Sequence, residues 1–199
     1  MKKTSLIFAF ILLILQTSFS QTKDIKDLYF DFMQVRMDHA SKSAKTKALN
    51  LLSRSAELSQ NQLANINFHL GRIYEESKEP EKAIPHYINV IKSVPGYYVA
   101  HRALGYIELK KCDSLGKIVT AAAKANNAPV HAENLKLYKS QVRKTLPYLE
   151  KSQACDADER TLHTLNSLYA SIKDSQSVST LKTRLIELGK DCVSLLEDE

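Results

Sequence analysis

Glycine and proline are scarce, five of each in 199 residues, and nearly all fall at helix ends or at packing positions within helical patterns. The expected fold is therefore a single all-α domain. Cysteine is also rare: there are three, and none forms a C-x2-C pair. No glycine-rich phosphate loop and no G-x-S-x-G elbow occurs, so the sequence signals for phosphate cradling and for an α/β-hydrolase nucleophile are missing. His39, His69, His86, His101, His131 and His163 are scattered over different segments without an H-x3-H spacing. No catalytic residue, metal ligand or cofactor is assigned on these grounds. An enzyme remains the third reading, because carboxylates distant in sequence can still converge in a stack of helices.

Long apolar runs are absent except at the start. Lys2 and Lys3 precede ten residues from Leu6 to Leu15, and small residues Ser18 and Ser20 follow before Gln21. That order reads as a secretory signal peptide over 1–20, cleaved after Ser20. Ten residues are too few to span a bilayer comfortably, which disfavours the alternative of a membrane anchor. No cysteine follows the cleavage region, so bacterial lipid attachment there is not supported. The expected product is periplasmic or secreted, with no membrane span once the leader is removed. Removing two lysines lowers the formal charge from +6 to +4, an excess too modest to indicate nucleic acid, and no nucleic-acid partner is expected. The charge is unevenly placed, however. Residues 110–151 carry nine Lys or Arg against three acids, a local excess of +6, leaving the rest of the mature chain at −2.

The most structured stretch is 64–97. Phe68, Leu70, Ile73 and Tyr74 recur at helical spacing, and Glu75, Glu76, Lys78 and Glu79 cover a turn. Pro80 suits the first turn of a second helix, and Pro95 and Gly96 stop it. Leu70, Gly71 and Tyr74, then Ala83 and Tyr87, then Pro95 resemble the tetratricopeptide pattern L-G-x2-Y, A-x3-F/Y, P. Leu104 and Gly105 follow Leu70 and Gly71 by 34 residues, the length of one such repeat. The resemblance covers most of the chain, strongly at 64–110 and weakly elsewhere, and implies a right-handed α-solenoid of about four helical hairpins over 21–191. A short solvated tail, 192–199, would follow, with Leu195 and Leu196 covering the solenoid end.

The flanking units are degenerate. Ile25, Leu28, Tyr29, Phe32, Val35 and Met37 suggest one helix, SKSAK a polar break, and Ala48, Leu49, Leu52, Ala56 and Leu58 a second helix. Leu162, Leu165, Leu168 and Tyr169, then Val178, Leu181, Leu185 and Ile186, form the last pair, turning at Lys173 and Asp174 and ended by Gly189. Between these lie 28 extra residues, judged from AIPHY at 83–87 and TLPYL at 145–149. They read either as one elongated hairpin with Asn126, Asn127 and Pro129 at its tip, reaching roughly 20 Å beyond its neighbours, or as an atypical extra repeat.

In the tetratricopeptide family the first helix of each repeat lines a concave groove. The resemblance places Asn65, Phe68, His69, Arg72 and Glu76, then Arg102, Tyr106, Leu109 and Lys110, at groove positions. Aromatic area and arginine suit an extended peptide, though packing between repeats and a solvated charged face would account for the same residues. The family's asparagine peptide-terminus clamp is not reproduced at His69 and Ala103. The family's stacking would also bring the helix ending at Cys155 beside the one ending before Cys192, implying a disulfide there and a free Cys112, with three separate thiols as the alternative. The leading function is a non-catalytic periplasmic protein-protein interaction scaffold for a peptide or protein partner. The alternative is binding of an anionic envelope component through the basic hairpin 110–151.

Overall fold

The computed structural model describes residues 23–197; the expected signal peptide and the last two residues lie outside that range. Its architecture is all-helical. The helices are α1 (Ile25–Met33), α2 (Lys42–Ser53), α3 (Gln60–Glu76), α4 (Pro80–Ser93), α5 (Tyr98–Lys124), α6 (Ala128–Cys155), α7 (Glu159–Ser171) and α8 (Ser175–Leu188). Among the described residues there is no strand, only an isolated parallel bridge between Tyr97 and Val193.

Local chemistry sets the boundaries. Ser59 and Gln62 form a reciprocal capping box at the start of α3, and Asp24, Ser41, Asn127, Asp158 and Asp174 each accept a backbone N–H at the start of a helix. Pro80 and Pro129 occupy first-turn positions, where a missing N–H leaves nothing unpaired. Three hairpin turns are built alike. Lys78, Asn126 and Lys173 adopt φ of 60°, 53° and 61°, and the next residue donates its N–H five positions back, Glu79 to Tyr74, Asn127 to Ala122 and Asp174 to Tyr169.

Each core cluster joins one hairpin to the next. Tyr29 and Phe32 of α1 pack with Ala44, Ala48 and Leu51 of α2 and with Ile66, Leu70 and Ile73 of α3. Ala83, Tyr87 and Val90 of α4 pack with Tyr97 and with Ala100, Leu104 and Ile107 of α5. Cys112 of α5 joins Val142, Leu146 and Leu149 of α6 to Leu165 and Leu168 of α7 and Leu181 of α8. Gly71 and Gly105 sit at the closest approaches: a Cβ on Gly71 would lie 2.6 Å from the Tyr87 ring, and one on Gly105 would lie 2.6 Å from a terminal methyl of Leu149.

Residues 98–154 form one long hairpin, not an extra repeat, since α5 and α6 run 27 and 28 residues with a turn at 125–127. The stretch that stands clear of its neighbours is shorter than the sequence suggested. Cys112 lies in the C-terminal core and Tyr138 donates to Ser171 Oγ at 2.8 Å, so the free arm begins beyond Gly116 and Tyr138 and projects about 12 Å.

Three local expectations are corrected. α1 stops at Met33, because a succession of i to i−3 bonds (Val35 to Phe32, Asp38 to Val35, Ser41 to Asp38) tightens the chain, and Met37 is 74% exposed. The SKSAK segment is the capped first turn of α2. Ala56 and Leu58 lie past α2, which ends at Ser53. Gly189 ends α8 as its C-cap, as expected, while keeping a right-handed φ of −78°, and a Cβ there would come within 3.2 Å of the Ala154 carbonyl.

Candidate partner-binding groove

The residues assigned to the groove divide into two sets. Asn65 is buried in the second turn of α3 and its side-chain amide donates to the main-chain carbonyl of Glu197 at 2.5 Å. Phe68, one turn further on, sets its ring edge-on to Tyr97 with centroids 5.2 Å apart, beside Val193 and Leu196. His69 faces the other way. It is buried, hydrogen-bonded to His39 at 3.1 Å and in ring contact with Phe32 and Phe68. Arg72 and Glu76 are exposed and pair at 3.5 Å, and Glu76 also meets His39 at 3.0 Å.

On α5 the assigned residues are largely engaged in joining helices. Arg102 reaches Ser152 Oγ at 3.2 Å, pairs with Asp156 and lies over the Tyr98 ring at 5.2 Å. The Tyr106 hydroxyl meets Thr161 Oγ1 at 3.0 Å, and Leu109 packs on the C-terminal core. Lys110 is exposed and, among the described residues, makes no ion pair. The structure thus brings Asn65 and Phe68 to one surface and leaves Arg72, Glu76 and Lys110 open to solvent, while His69, Arg102, Tyr106 and Leu109 hold neighbouring helices together.

What occupies the surface of Asn65 and Phe68 is the chain's own tail. α8 ends in a single 3-10 turn, Gly189–Asp191, and Cys192 is disulfide-bonded to Cys155 at the end of α6, with Cα atoms 5.5 Å apart. Cys112 is a buried free thiol whose burial pushes its pKa up. Beyond Cys192 the chain does not cover the end of the helical stack, as the sequence suggested. It turns back along the junctions between hairpins: Val193 N–H donates to Gly96 O at 2.8 Å, and Glu197 meets Asn61 Nδ2 at 3.2 Å. Val193 and Leu196 join the Tyr97 cluster while Leu195 is 80% exposed.

Electrostatics secure the approach to this surface. Lys151, buried near the end of α6, donates to the Leu188 carbonyl at 2.8 Å and pairs with Asp191 at 2.6 Å, holding the last turn of the α8 segment in place. That partner holds the Asp191 carboxyl below its usual range. His101 Nε2 lies 2.9 Å from the Pro95 carbonyl, which can only accept, so this nitrogen carries the proton. Burial lowers the His101 pKa and raises that of Tyr97 to about 12.

Two further features lie outside this surface. An open apolar cleft of about 680 Å³ sits between the end of α6 and the α7–α8 hairpin, lined by Leu162, Val178, Leu185 and Ile186 with Lys182 and Lys190 beside them. On the long hairpin, Lys111 and Lys144 pair with the buried Glu108 and Lys151 with Asp191. Lys110, Lys117, Lys124, Lys136, Lys139 and Arg143 make no ion pair among the described residues.

Among the described residues, no group of three or more His, Cys, Asp or Glu is placed to hold a metal ion, and no helix is long and apolar enough to cross a membrane. Against protein-family models, curated proteins and solved structures, the chain finds no match. Sequence reasoning missed the tail contacts. The apolar residues Val193 and Leu196 carried the only signal, since their spacing gives a short extended segment two side chains with which to anchor.

Proposed function

We propose that the chain is a tetratricopeptide-like solenoid scaffold, exported beyond the inner membrane, that binds a peptide or protein partner through the surface of α3 and the start of α5. One observation carries the reading. Asn65, a buried polar side chain at an assigned groove position, already spends its amide on the main-chain carbonyl of an extended segment. Recognition of a main-chain group by a side-chain amide serves any sequence, and the neighbouring Phe68, Val193 and Leu196 contacts add apolar selection. The like-built turns at Lys78, Asn126 and Lys173 and the paired close approaches at Gly71 and Gly105 also support a repeating helical stack.

The test uses exposed positions. Arg102 is tied to Ser152 and Asp156, so its reversal would disturb the helix junction. Arg72→Glu with Lys110→Glu reverses two exposed positions and removes only the surface pair of Arg72 with Glu76. Crosslinking and affinity capture from the envelope fraction, with residues 21–199 as bait, should recover a reproducible protein partner that the double variant loses while its helicity is unchanged. Undiminished capture by the folded variant would overturn the groove assignment.

A second reading rests on six cations of the long hairpin that make no ion pair among the described residues, which favour an anionic envelope component held by screened charge.

A further inference from the structure

We infer that residues 193–197 are a resident occupant of the binding face, and that the partner it fits is an extended segment with apolar side chains at i and i+3. This deepens the groove reading and rests on it. The contacts define the chemistry. The residue in the place of Val193 offers an N–H to Gly96 O and an apolar side chain to the Tyr97 cluster. The residue in the place of Leu196 adds a second apolar contact, and the next residue presents its carbonyl to Asn65 and an acidic side chain to Asn61.

Three observations favour a displaceable occupant over a permanent part of the core. The tail has no regular element of its own and holds the face through one backbone bridge, two side-chain amides and the packing of Val193 and Leu196. It underfills the site, leaving a cleft of about 210 Å³ between itself, Asn61, Ala64 and Val94. Leu195, the middle apolar residue, borders that cleft yet is 80% exposed, so most of its apolar surface is left to solvent. A partner with a larger side chain at the position of Leu196 would fill what the tail leaves empty.

The attachment is nevertheless firm at one end. The bridge between Cys155 and Cys192 fixes the residue just before the tail, and Gly96 lets the main chain through, since a Cβ there would lie 1.9 Å from the Asp191 carbonyl. A segment tethered this closely competes at an effective concentration on the order of millimolar. If the detached tail binds with a Kd of about 0.1 mM, the face is closed roughly nine-tenths of the time, and a partner loses about tenfold in apparent affinity. The tail thus screens out weak extended segments and yields to strong ones.

The experiment compares the full chain with its Val193→Asp/Leu196→Asp variant, which keeps the chain length and the disulfide but expels the tail. The probe is a fluorescent synthetic peptide of residues 193–199, read by polarisation. The variant should bind it at least tenfold more tightly than the unaltered chain, and adding Asn65→Ala should remove most of that gain. A chain ending at Cys192 gives a second route to an open face should the aspartates disturb folding. No peptide binding by a variant of unchanged helicity would overturn the inference, as would equal binding by the variant and the unaltered chain. Either failure differs from that of the groove reading, which is decided by partner capture with Arg72 and Lys110 reversed.

Discussion

Gly71 and Gly105 occupy corresponding places on successive hairpins, yet the atoms above them differ in how far they can yield. Above Gly71 lies the ring of Tyr87, fully buried and hydrogen-bonded to Glu75; above Gly105 lies the flexible end of Leu149. Gly71→Ala should therefore cost about 2–3 kcal/mol and Gly105→Ala about 1 kcal/mol, measured by urea unfolding. A second residue-scale prediction concerns pH. His86 and His101 both have pKa values lowered by burial, so between their folded values and the ordinary value near 6.5 the unfolded chain binds more protons. Stability from these residues is fully present above about pH 6.5 and declines as pH falls through the folded values. Urea midpoints should drop between pH 7 and 5.5, and His86→Gln/His101→Gln should flatten that slope. Residue identity made part of this legible in advance. The small and aromatic residues at 70–87 announce the close helix pair because only Gly and Ala admit that approach. His69 and Tyr106 were assigned to an open face because spacing gives the side of a helix, whereas the neighbour that covers that side is set by tertiary packing.

At the scale of elements, the sequence revealed the turns more clearly than the terminal helices. Polar residues at Lys78, Asn126 and Lys173 marked hairpin tips, and the structure closes all three through a left-handed residue. Replacing Lys78 or Lys173 by Gly should relieve that conformation and raise stability by about 0.5–1 kcal/mol, read from thermal unfolding. The end of α1 was not legible, because Val35 and Met37 continue an apolar helical pattern that the tight turns after Met33 interrupt. The disulfide ties α6 to the segment after α8 across 37 residues, a loop whose closure is worth roughly 4 kcal/mol in the chain-entropy estimate. Cys192→Ser should lower the melting temperature of the C-terminal hairpin by on the order of 10 °C. Hydrogen exchange in α7 and α8 should rise while that of α3 and α4 changes little, since each hairpin of a helical stack is stabilised mainly by its neighbours.

For the whole molecule, the excess of positive charge lies in the long hairpin, whereas the surface proposed for recognition lies near the start of α3. Shortening the free arm, by replacing 117–137 with a tight turn, should leave the core around Cys112 and Val142 intact. Sedimentation with anionic vesicles should fall for that deletant and weaken with added salt if the arm carries attachment. Identical sedimentation at all salt concentrations would remove the arm from consideration. The tail also changes how the chain completes its folding. Most contacts in a run of hairpins join residues close in sequence, but the tail meets Asn65 and Asn61 across separations of 132 and 136 residues. Contacts that close such long loops form late. A newly formed molecule accordingly passes through an interval in which its helices are paired and the strap is undocked, so, under the proposed function, the first segment to reach Asn65 is decided by arrival time as well as by affinity.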